Sequence, residues 1–261
     1  MRILSYSFET ILRMDEDVRE HSFVLRCQPV SSRTQTVLDA QTIVAPTCAL
    51  SAQTDGFGNL LQVGRIEREH REFSFYSTGS VMVDAESEGA DDVHPMYRRG
   101  SRFATPDQGI ADFAEYVLRV RRNAPAWDKA RLLSHELHGA MTYERGRTDT
   151  HTSAAAAFAQ RAGVCQDFSH ILIALLRSQG LAARYVNGLV VGQGATHAWV
   201  EVHDGRRWRG IDPTNDRPVD DGYIKLAHGR DFADCPIESG VFRGDARQIQ
   251  EVSAVVEEPF E

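Results

Sequence analysis

The chain has 261 residues, of which 42% are apolar and 25% are charged, a composition typical of a globular protein with a sizeable core. Its net charge of -8 argues against a nucleic-acid-binding protein, because such proteins rely on clustered basic residues. No run of residues approaches the roughly 20 apolar positions needed to cross a bilayer, so a membrane span is excluded as well.

The cysteines and the first residues indicate a reducing compartment. Cys27, Cys48, Cys165 and Cys235 lie far apart and form no CxxC pair, so we expect neither a disulfide framework nor a zinc motif. The first residues lack the continuous apolar segment and the small-residue cleavage site of a secretory signal peptide. We therefore predict a cytoplasmic protein with free thiols.

The first 85 or so residues have the alternating apolar pattern of β-strands. Leu4, Tyr6 and Phe8 alternate with polar residues, and several runs between residues 23 and 84 repeat this pattern. Turn residues separate the runs, most clearly at 55–59, where two glycines permit positive φ. The pattern predicts an antiparallel β-sandwich over residues 1–90.

A change of composition marks the end of this domain. Residues from about 85 to 104 are acidic or small, show no periodicity and are predicted to form a linker. Helical signals follow, since Thr105 is a candidate N-cap and Pro106 suits a first helical position. Further helices are expected at 126–141 and in the alanine-rich segment 153–161. Residues 91–261 are therefore predicted to form a second domain that contains the helices.

Cys165 is predicted to begin a buried helix. Five apolar residues between positions 168 and 176 recur at helical spacing, and Gly180 follows them as an end signal. The backbone N–H groups of a first helical turn are unsatisfied and partially positive, so they favour a thiolate and can receive an oxyanion. Cys165 is therefore a candidate nucleophile, although most free cysteines are simply small buried hydrophobic residues.

The segment 197–212 has the pattern of a β-hairpin. Asp204-Gly205 stands between two alternating runs and is a strong signal for a two-residue turn. With that turn, paired positions sum to 409, and His197 lies directly opposite Asp212. Trp199 is expected on the same face of the hairpin as His197, flanking the site.

A histidine opposite a carboxylate is suited to activating a thiol. Cross-strand partners have Cβ atoms about 4.5–5.5 Å apart, so Asp212 is expected to accept the Nδ1–H of His197 and to leave Nε2 free for a thiol. Cys165, His197 and Asp212 are thus a candidate catalytic triad. An isolated His-Asp pair can also be purely structural, and the pattern alone leaves both interpretations open.

Four segments, in this order, resemble the bacterial transglutaminase-like family: 163–168 (GVCQDF), 184–188 (RYVNG), 196–202 (THAWVEV) and 208–215 (WRGIDPTN). The turn at 55–59 and the segment 228–234 (HGRDFAD) also resemble segments of this family, so the resemblance covers nearly the whole chain. One departure is Cys235, where an apolar residue is expected. The resemblance implies an N-terminal β-sandwich followed by a papain-like α+β catalytic domain.

The resemblance also implies a role for each site residue. Cys165 would be the nucleophile, His197 the general base and Asp212 the residue that orients the imidazole. Attack on an amide carbonyl would form a thioester, with the Cys165 N–H helping to hold the oxyanion. Tyr143, Gln166 and Trp199 are expected to border the oxyanion site or the substrate cleft, although Tyr143 could equally be a packed aromatic residue.

The sequence leaves open what attacks the thioester. Our main hypothesis is that water attacks and that the protein is a protease or amidase acting on peptide or isopeptide bonds. A lysine-like amine would instead make it a protein-crosslinking transglutaminase, and a non-catalytic scaffold with the same fold is a third alternative. We expect a peptide or protein substrate as the partner and no cofactor or metal. The oligomeric state is not predicted.

Overall fold

The computed structural model describes residues 1–258 and has an α+β fold, as predicted. The N-terminal strands are β1 (Arg2–Leu25), β2 (Gln35–Ala45), β3 (Leu50–Thr54), β4 (Leu60–Ile66) and β5 (His70–Val83). The elements that follow are α1 (Gln108–Leu118), α2 (Ala126–Ala140), β6 (Thr142–Tyr143), α3 (Ala154–Gln160), β7 (Ala162–Gly163), α4 (Cys165–Ser178), β8 (Ala183–Val190), β9 (Gly192–Gly194), β10 (His197–His203), β11 (Trp208–Asp212), β12 (Arg217–Pro218), β13 (Tyr223–Gly229), β14 (Glu238–Arg243) and β15 (Gln248–Glu257).

The N-terminal sheet is organised along β1, a single strand of 24 residues that the sequence pattern had split into two. The first half of β1 pairs with β5 and β15, and its second half pairs with β4 and β14. The pairing with β5 shifts register between Arg13 and Val18, so the antiparallel sheet curls. Its two halves share one apolar core, to which Phe8 and Phe23 contribute from opposite ends of β1.

The last two strands return to the N-terminal sheet. β15 runs antiparallel to β1, from Ser5 opposite Glu257 to Met14 opposite Gln248, and β14 pairs with the other half of β1. Residues 238–257 therefore belong to the sheet of the first predicted domain, although the prediction placed all of 91–261 in the second. Local composition cannot show a pairing between residues more than 200 positions apart.

The predicted linker, residues 85–104, is tied to the rest of the molecule. It contains a short 3₁₀ helix, Pro95–Arg98. The carboxylate of Asp91 pairs with Arg33 and accepts the Trp208 backbone N–H at 2.8 Å. Because Arg33 belongs to the N-terminal part and Trp208 begins β11, Asp91 joins the two halves of the chain.

A second antiparallel sheet of five strands, ordered β12-β11-β10-β8-β13, carries the helices. Helix α4 packs on β8 and β10, and α1, α2 and α3 surround α4. The sequence predicted one apolar stripe on α4, but Ile173 and Ala174 on its other side are also completely buried. The buried helix brings its first residue, Cys165, to the sheet end where β10 begins and β11 ends.

Helix α1 begins later than predicted. Its N-cap is Asp107, whose carboxylate accepts the Ile110 N–H at 2.9 Å, so the cap lies two residues beyond Thr105. The hydroxyl of Thr105 instead donates to the carbonyl of Ser101 at 2.6 Å. An aspartate and a threonine are both suitable N-caps, and local sequence did not distinguish them.

Arg177 is an anchor within the buried helix, and its removal is expected to be costly. Its guanidinium is almost completely buried and donates to five oxygens, those of Tyr97, Ser101, Ala104, Ala183 and Arg230. Arg177→Met would leave carbonyls buried without donors, and we expect it to lower the free energy of unfolding by about 3–5 kcal/mol. Urea denaturation measures this, with Arg122→Met on the surface as the control; a loss below about 1 kcal/mol would contradict the anchoring role.

Candidate active site

Cys165 is the first residue of α4, as predicted, and its side chain is half-buried. The turn before it is fixed by Asp167, whose Oδ2 accepts the Val164 N–H at 2.8 Å and the Thr148 hydroxyl at 2.7 Å. At a first helical position the backbone N–H has no acceptor within the helix. The Cys165 N–H is therefore available to a group that binds next to its thiol.

Gly163 is required by this turn. A Cβ at this position would lie 2.5 Å from Asp167 Oδ2, too close for any side chain. We expect Gly163→Ala to displace Asp167 and to lower the free energy of unfolding by about 1–3 kcal/mol. The matched control is Gly139→Ala in α2, where a Cβ meets nothing within 4 Å and alanine is expected to stabilise the helix by about 0.5–1 kcal/mol. Equal effects of the two substitutions in urea denaturation would contradict this explanation.

The hairpin that carries His197 and Asp212 has a different register from the one predicted. His203 pairs with Trp208 and Val200 with Ile211, so paired positions sum to 411 and the loop has four residues, 204–207. The Asp204 carboxylate closes this loop by accepting the N–H groups of Arg206 and Arg207, both at 2.9 Å. Asp204 therefore starts a four-residue loop, and the prediction of a two-residue turn was wrong.

His197 and Asp212 nevertheless meet. In this register His197 is two residues away from the position directly opposite Asp212. Its imidazole reaches diagonally across the strands, which places Nε2 2.7 Å from Asp212 Oδ2. The prediction that Nδ1 would contact Asp212 was wrong, because the diagonal placement brings Nε2, the ring nitrogen farther from the backbone, to the carboxylate. Nε2 is thus occupied by Asp212, and the Cys165 thiol lies close enough to the ring to raise its pKa. The structure brings Cys165, His197 and Asp212 into one connected group.

Asp212 is completely buried and has a full set of hydrogen-bond donors. Besides His197, it accepts the backbone N–H groups of Thr214 and Asn215, the Asn215 side-chain amide at 2.7 Å and the Tyr223 hydroxyl at 2.9 Å. Neither Asn215 nor Tyr223 was among the predicted site residues. Asn215 closely follows Asp212 in the chain and could have been considered, whereas Tyr223 reaches the site only because β13 belongs to the same sheet.

His197 and Asp212 each shift the pKa of the other towards its charged form. Burial by itself lowers the pKa of His197, but the hydrogen bond to Asp212 and the neighbouring Cys165 thiol outweigh it and raise the pKa to about 10. Burial by itself raises the pKa of Asp212, yet the hydrogen bonds from His197, Asn215 and Tyr223 bring it below its usual value. At neutral pH the site therefore favours an imidazolium held between a carboxylate and a thiol group.

This raised pKa predicts a pH dependence of stability. A histidine whose folded-state pKa lies above the unfolded value of about 6.5 stabilises the protein fully below that value, and the contribution is lost as the pH rises through the folded pKa of about 10. We therefore expect the wild type to have a higher free energy of unfolding than His197→Gln. The difference should be largest near pH 6 and should decrease progressively towards pH 10. Denaturant unfolding at several pH values measures this, and a difference that is constant with pH would contradict it.

The three residues predicted to border the cleft have different environments. Tyr143 is 49% exposed and pairs with Gly163, two residues before Cys165, so it lies beside the site. Gln166 follows Cys165, and its amide donates to the Thr150 carbonyl at 3.3 Å. Trp199 is only 2% exposed, packs edge-on against Tyr223 and lies near His197. The expectation that Trp199 borders the cleft was therefore wrong, because it is part of the core that supports His197.

Two features are absent from the described part of the chain. Residues 1–258 contain no group of three or more His, Cys, Asp or Glu side chains placed to hold a metal ion. No helix within the same range is both long enough and apolar enough to span a membrane. The absence of a metal or cofactor requirement stays a prediction, and so does the cytoplasmic location.

The fold and the site define an α+β protein of the papain-related, transglutaminase-like class. The family model of the transglutaminase-like superfamily core matches residues 112–213, and that of the bacterial transglutaminase-like N-terminal region matches residues 4–82. The first range contains Cys165, His197 and Asp212. The chain belongs to the bacterial transglutaminase-like family.

Related chains are found in mycobacteria. An uncharacterized protein of Mycobacterium tuberculosis is 31% identical over 88% of this chain and 84% of its own length, and one of Mycobacterium leprae is 29% identical over 89% of both chains. Among solved structures, one from Cytophaga hutchinsonii described as a "Putative Cysteine Protease" has a TM-score of 0.79 at 22% identity, covering 100% of this chain and 93% of that one. At this identity the likeness shows a shared fold.

Proposed function

We propose that this protein is a thiol hydrolase that cleaves peptide or isopeptide amide bonds through a thioester on Cys165. The observation that supports this most strongly is the placement of His197, whose imidazole binds the buried carboxylate of Asp212 and interacts with the Cys165 thiol. A nucleophile, a base and an orienting group in this order are the elements of a catalytic triad.

The reaction has two balanced steps. The Cys165 sulfur attacks the amide carbonyl to form a C–S bond, and the imidazolium of His197 protonates the leaving amine as the C–N bond breaks. Water then attacks the thioester, passes a proton to His197 and displaces the thiolate, which yields the acid and the original pair. The free N–H of Cys165 at the start of α4 can hold the oxyanion in both steps.

Water as the final acceptor is favoured by the exposure of the site. Residues 191–195, which lead into His197, are all exposed, Tyr143 beside the cysteine turn is half-exposed, and Cys165 itself is partly accessible. A transglutaminase needs the thioester to survive until an amine arrives, and an open site does not protect it from water.

The test is to trap the thioester and to follow its products. Purified protein is mixed with a p-nitrophenyl ester of a short N-acyl peptide, quenched in acid and mapped by mass spectrometry, with Cys48→Ala as the control thiol variant. We expect one acyl adduct on Cys165, none in Cys165→Ala, and the free acid as the main product even when n-butylamine is present. Equal turnover by Cys165→Ala would refute the proposal, and a dominant butylamide product would make the protein a transglutaminase.

A further inference from the structure

A cavity of about 490 Å³ lies between helix α2 and the β11–β12 edge of the second sheet. Its wall includes Ile211, which directly precedes Asp212, and Arg217, which is the ladder partner of Asp212 between β11 and β12. Helix α2 and the segment before it form the other side. The cavity is therefore at the same end of the sheet as His197 and Asp212, and it is large enough for part of a peptide substrate.

The charge of this cavity is opposite to that of the whole chain. Three arginines (Arg121, Arg131 and Arg217) face two aspartates (Asp128 and Asp216), whereas the chain as a whole carries a net charge of -8. In the described residues 1–258, none of these arginines forms an ion pair with a carboxylate. Asp216 is bound instead by His135, at 2.7 Å. Arg121 and Arg131 thus remain available for a ligand, and so do the terminal nitrogens of Arg217, whose Nε binds Tyr223.

Arg217 connects the cavity to the triad. Its Nε donates to the Tyr223 hydroxyl at 2.9 Å, and that hydroxyl donates to Asp212 at 2.9 Å. A ligand bound to Arg217 is therefore connected to the Asp212 carboxylate through a single side chain, that of Tyr223. Planar guanidinium groups match carboxylates in charge and geometry.

We propose that this cavity binds a carboxylate of the peptide substrate, so that the enzyme prefers acidic peptides. The inference rests on the proposed function, since it assigns a substrate class to the same site. The carboxylate is held by Arg131 of α2 and Arg217 of β12, and the scissile amide then lies towards Cys165.

A pair of alkylating agents tests this without requiring turnover. Iodoacetate and iodoacetamide have nearly the same size and differ in charge, and each transfers its carbon to sulfur with loss of iodide. Their rates at Cys165 are measured by peptide mapping at low salt in the wild type, Arg131→Gln and Arg217→Gln. The control is Arg122→Gln, which removes a charge nearby but outside the cavity. Cys48 in each sample is an internal reference thiol.

The ratio of the iodoacetate rate to the iodoacetamide rate is the readout, because a change in intrinsic thiol reactivity affects both reagents. We expect this ratio at Cys165 to fall about three- to fivefold in Arg131→Gln and Arg217→Gln and to be unchanged in Arg122→Gln. Added salt at about 1 M should also lower the ratio of the two rates in the wild type, because it screens the arginine charges. An unchanged ratio in both cavity variants would overturn the proposal.

Protection experiments identify the anion. The α-amide of N-acetylglutamate is expected to slow alkylation of Cys165 by iodoacetate, whereas the isosteric N-acetylglutamine α-amide is not, and Arg131→Gln should abolish the difference. Protection by inorganic phosphate but not by the glutamate amide would overturn the assignment to a carboxylate. Failure of the proposed function appears differently, as a Cys165 that reacts with iodoacetamide no faster than Cys48.

Discussion

Replacing His197 by alanine is expected to reduce turnover of an activated peptide ester by about 10³-fold or more. The imidazole binds Asp212 and lies next to the Cys165 thiol, so its loss removes proton transfer in both half-reactions. Stopped-flow measurement of p-nitrophenol release gives the rate of acylation and of steady-state turnover.

The matched control for this variant is His94→Ala. His94 is exposed and caps the short 3₁₀ helix before α1, far along the chain from the site. We expect its turnover to stay within about twofold of the wild type. A His197→Ala protein that retains more than about a tenth of wild-type turnover would exclude His197 as the general base.

The second large effect is expected at Asp212, where two substitutions separate orientation from stability. Asp212→Asn keeps the size of the side chain but removes its charge, so the imidazolium of His197 loses its counterion. We expect turnover to fall by about 10²–10⁴-fold, with a lower His197 pKa in NMR titration. The isosteric surface change Asp112→Asn in α1 is the control and should leave turnover unchanged.

Asp212→Ala is expected to have the same kinetic effect and a larger structural one. It would leave Asn215 and Tyr223 without the buried carboxylate that accepts their hydrogen bonds, and we expect the free energy of unfolding to fall by about 3–5 kcal/mol. Asp212→Asn should lose considerably less. Wild-type turnover in folded Asp212→Asn would show that the His197–Asp212 pair is structural.

The parts of the site that local sequence determines were predictable. The N-terminus of α4 at Cys165 follows from a glycine-led turn and an apolar helical pattern, and both are properties of neighbouring residues. The meeting of His197 with Asp212 was also expected, but its geometry was not. The Asp204 carboxylate organises a four-residue loop, and this shifts the register and changes the nitrogen that faces Asp212.

Features that depend on distant parts of the chain could not be predicted from the sequence alone. Tyr223 donates to Asp212 only because β13 joins the sheet beside β8, and β15 completes the N-terminal sheet from the other end of the chain. Trp199 was expected near the cleft because it shares a strand face with His197. Whether that face is open or covered is decided by tertiary packing, and Tyr223 and Val186 cover it.

The central claim, that His197 activates the Cys165 thiol, is tested most directly by the pH dependence of alkylation. Intact protein is treated with limiting iodoacetamide from pH 5 to 10, and the rate at Cys165 is compared between the wild type and His197→Ala. An ordinary thiol is almost entirely protonated and unreactive at pH 6. We predict that wild-type Cys165 reacts at pH 6 about tenfold or more faster than in His197→Ala. Identical profiles for the two proteins, both rising only above pH 8, would contradict the assignment of Cys165 and His197 as a catalytic pair.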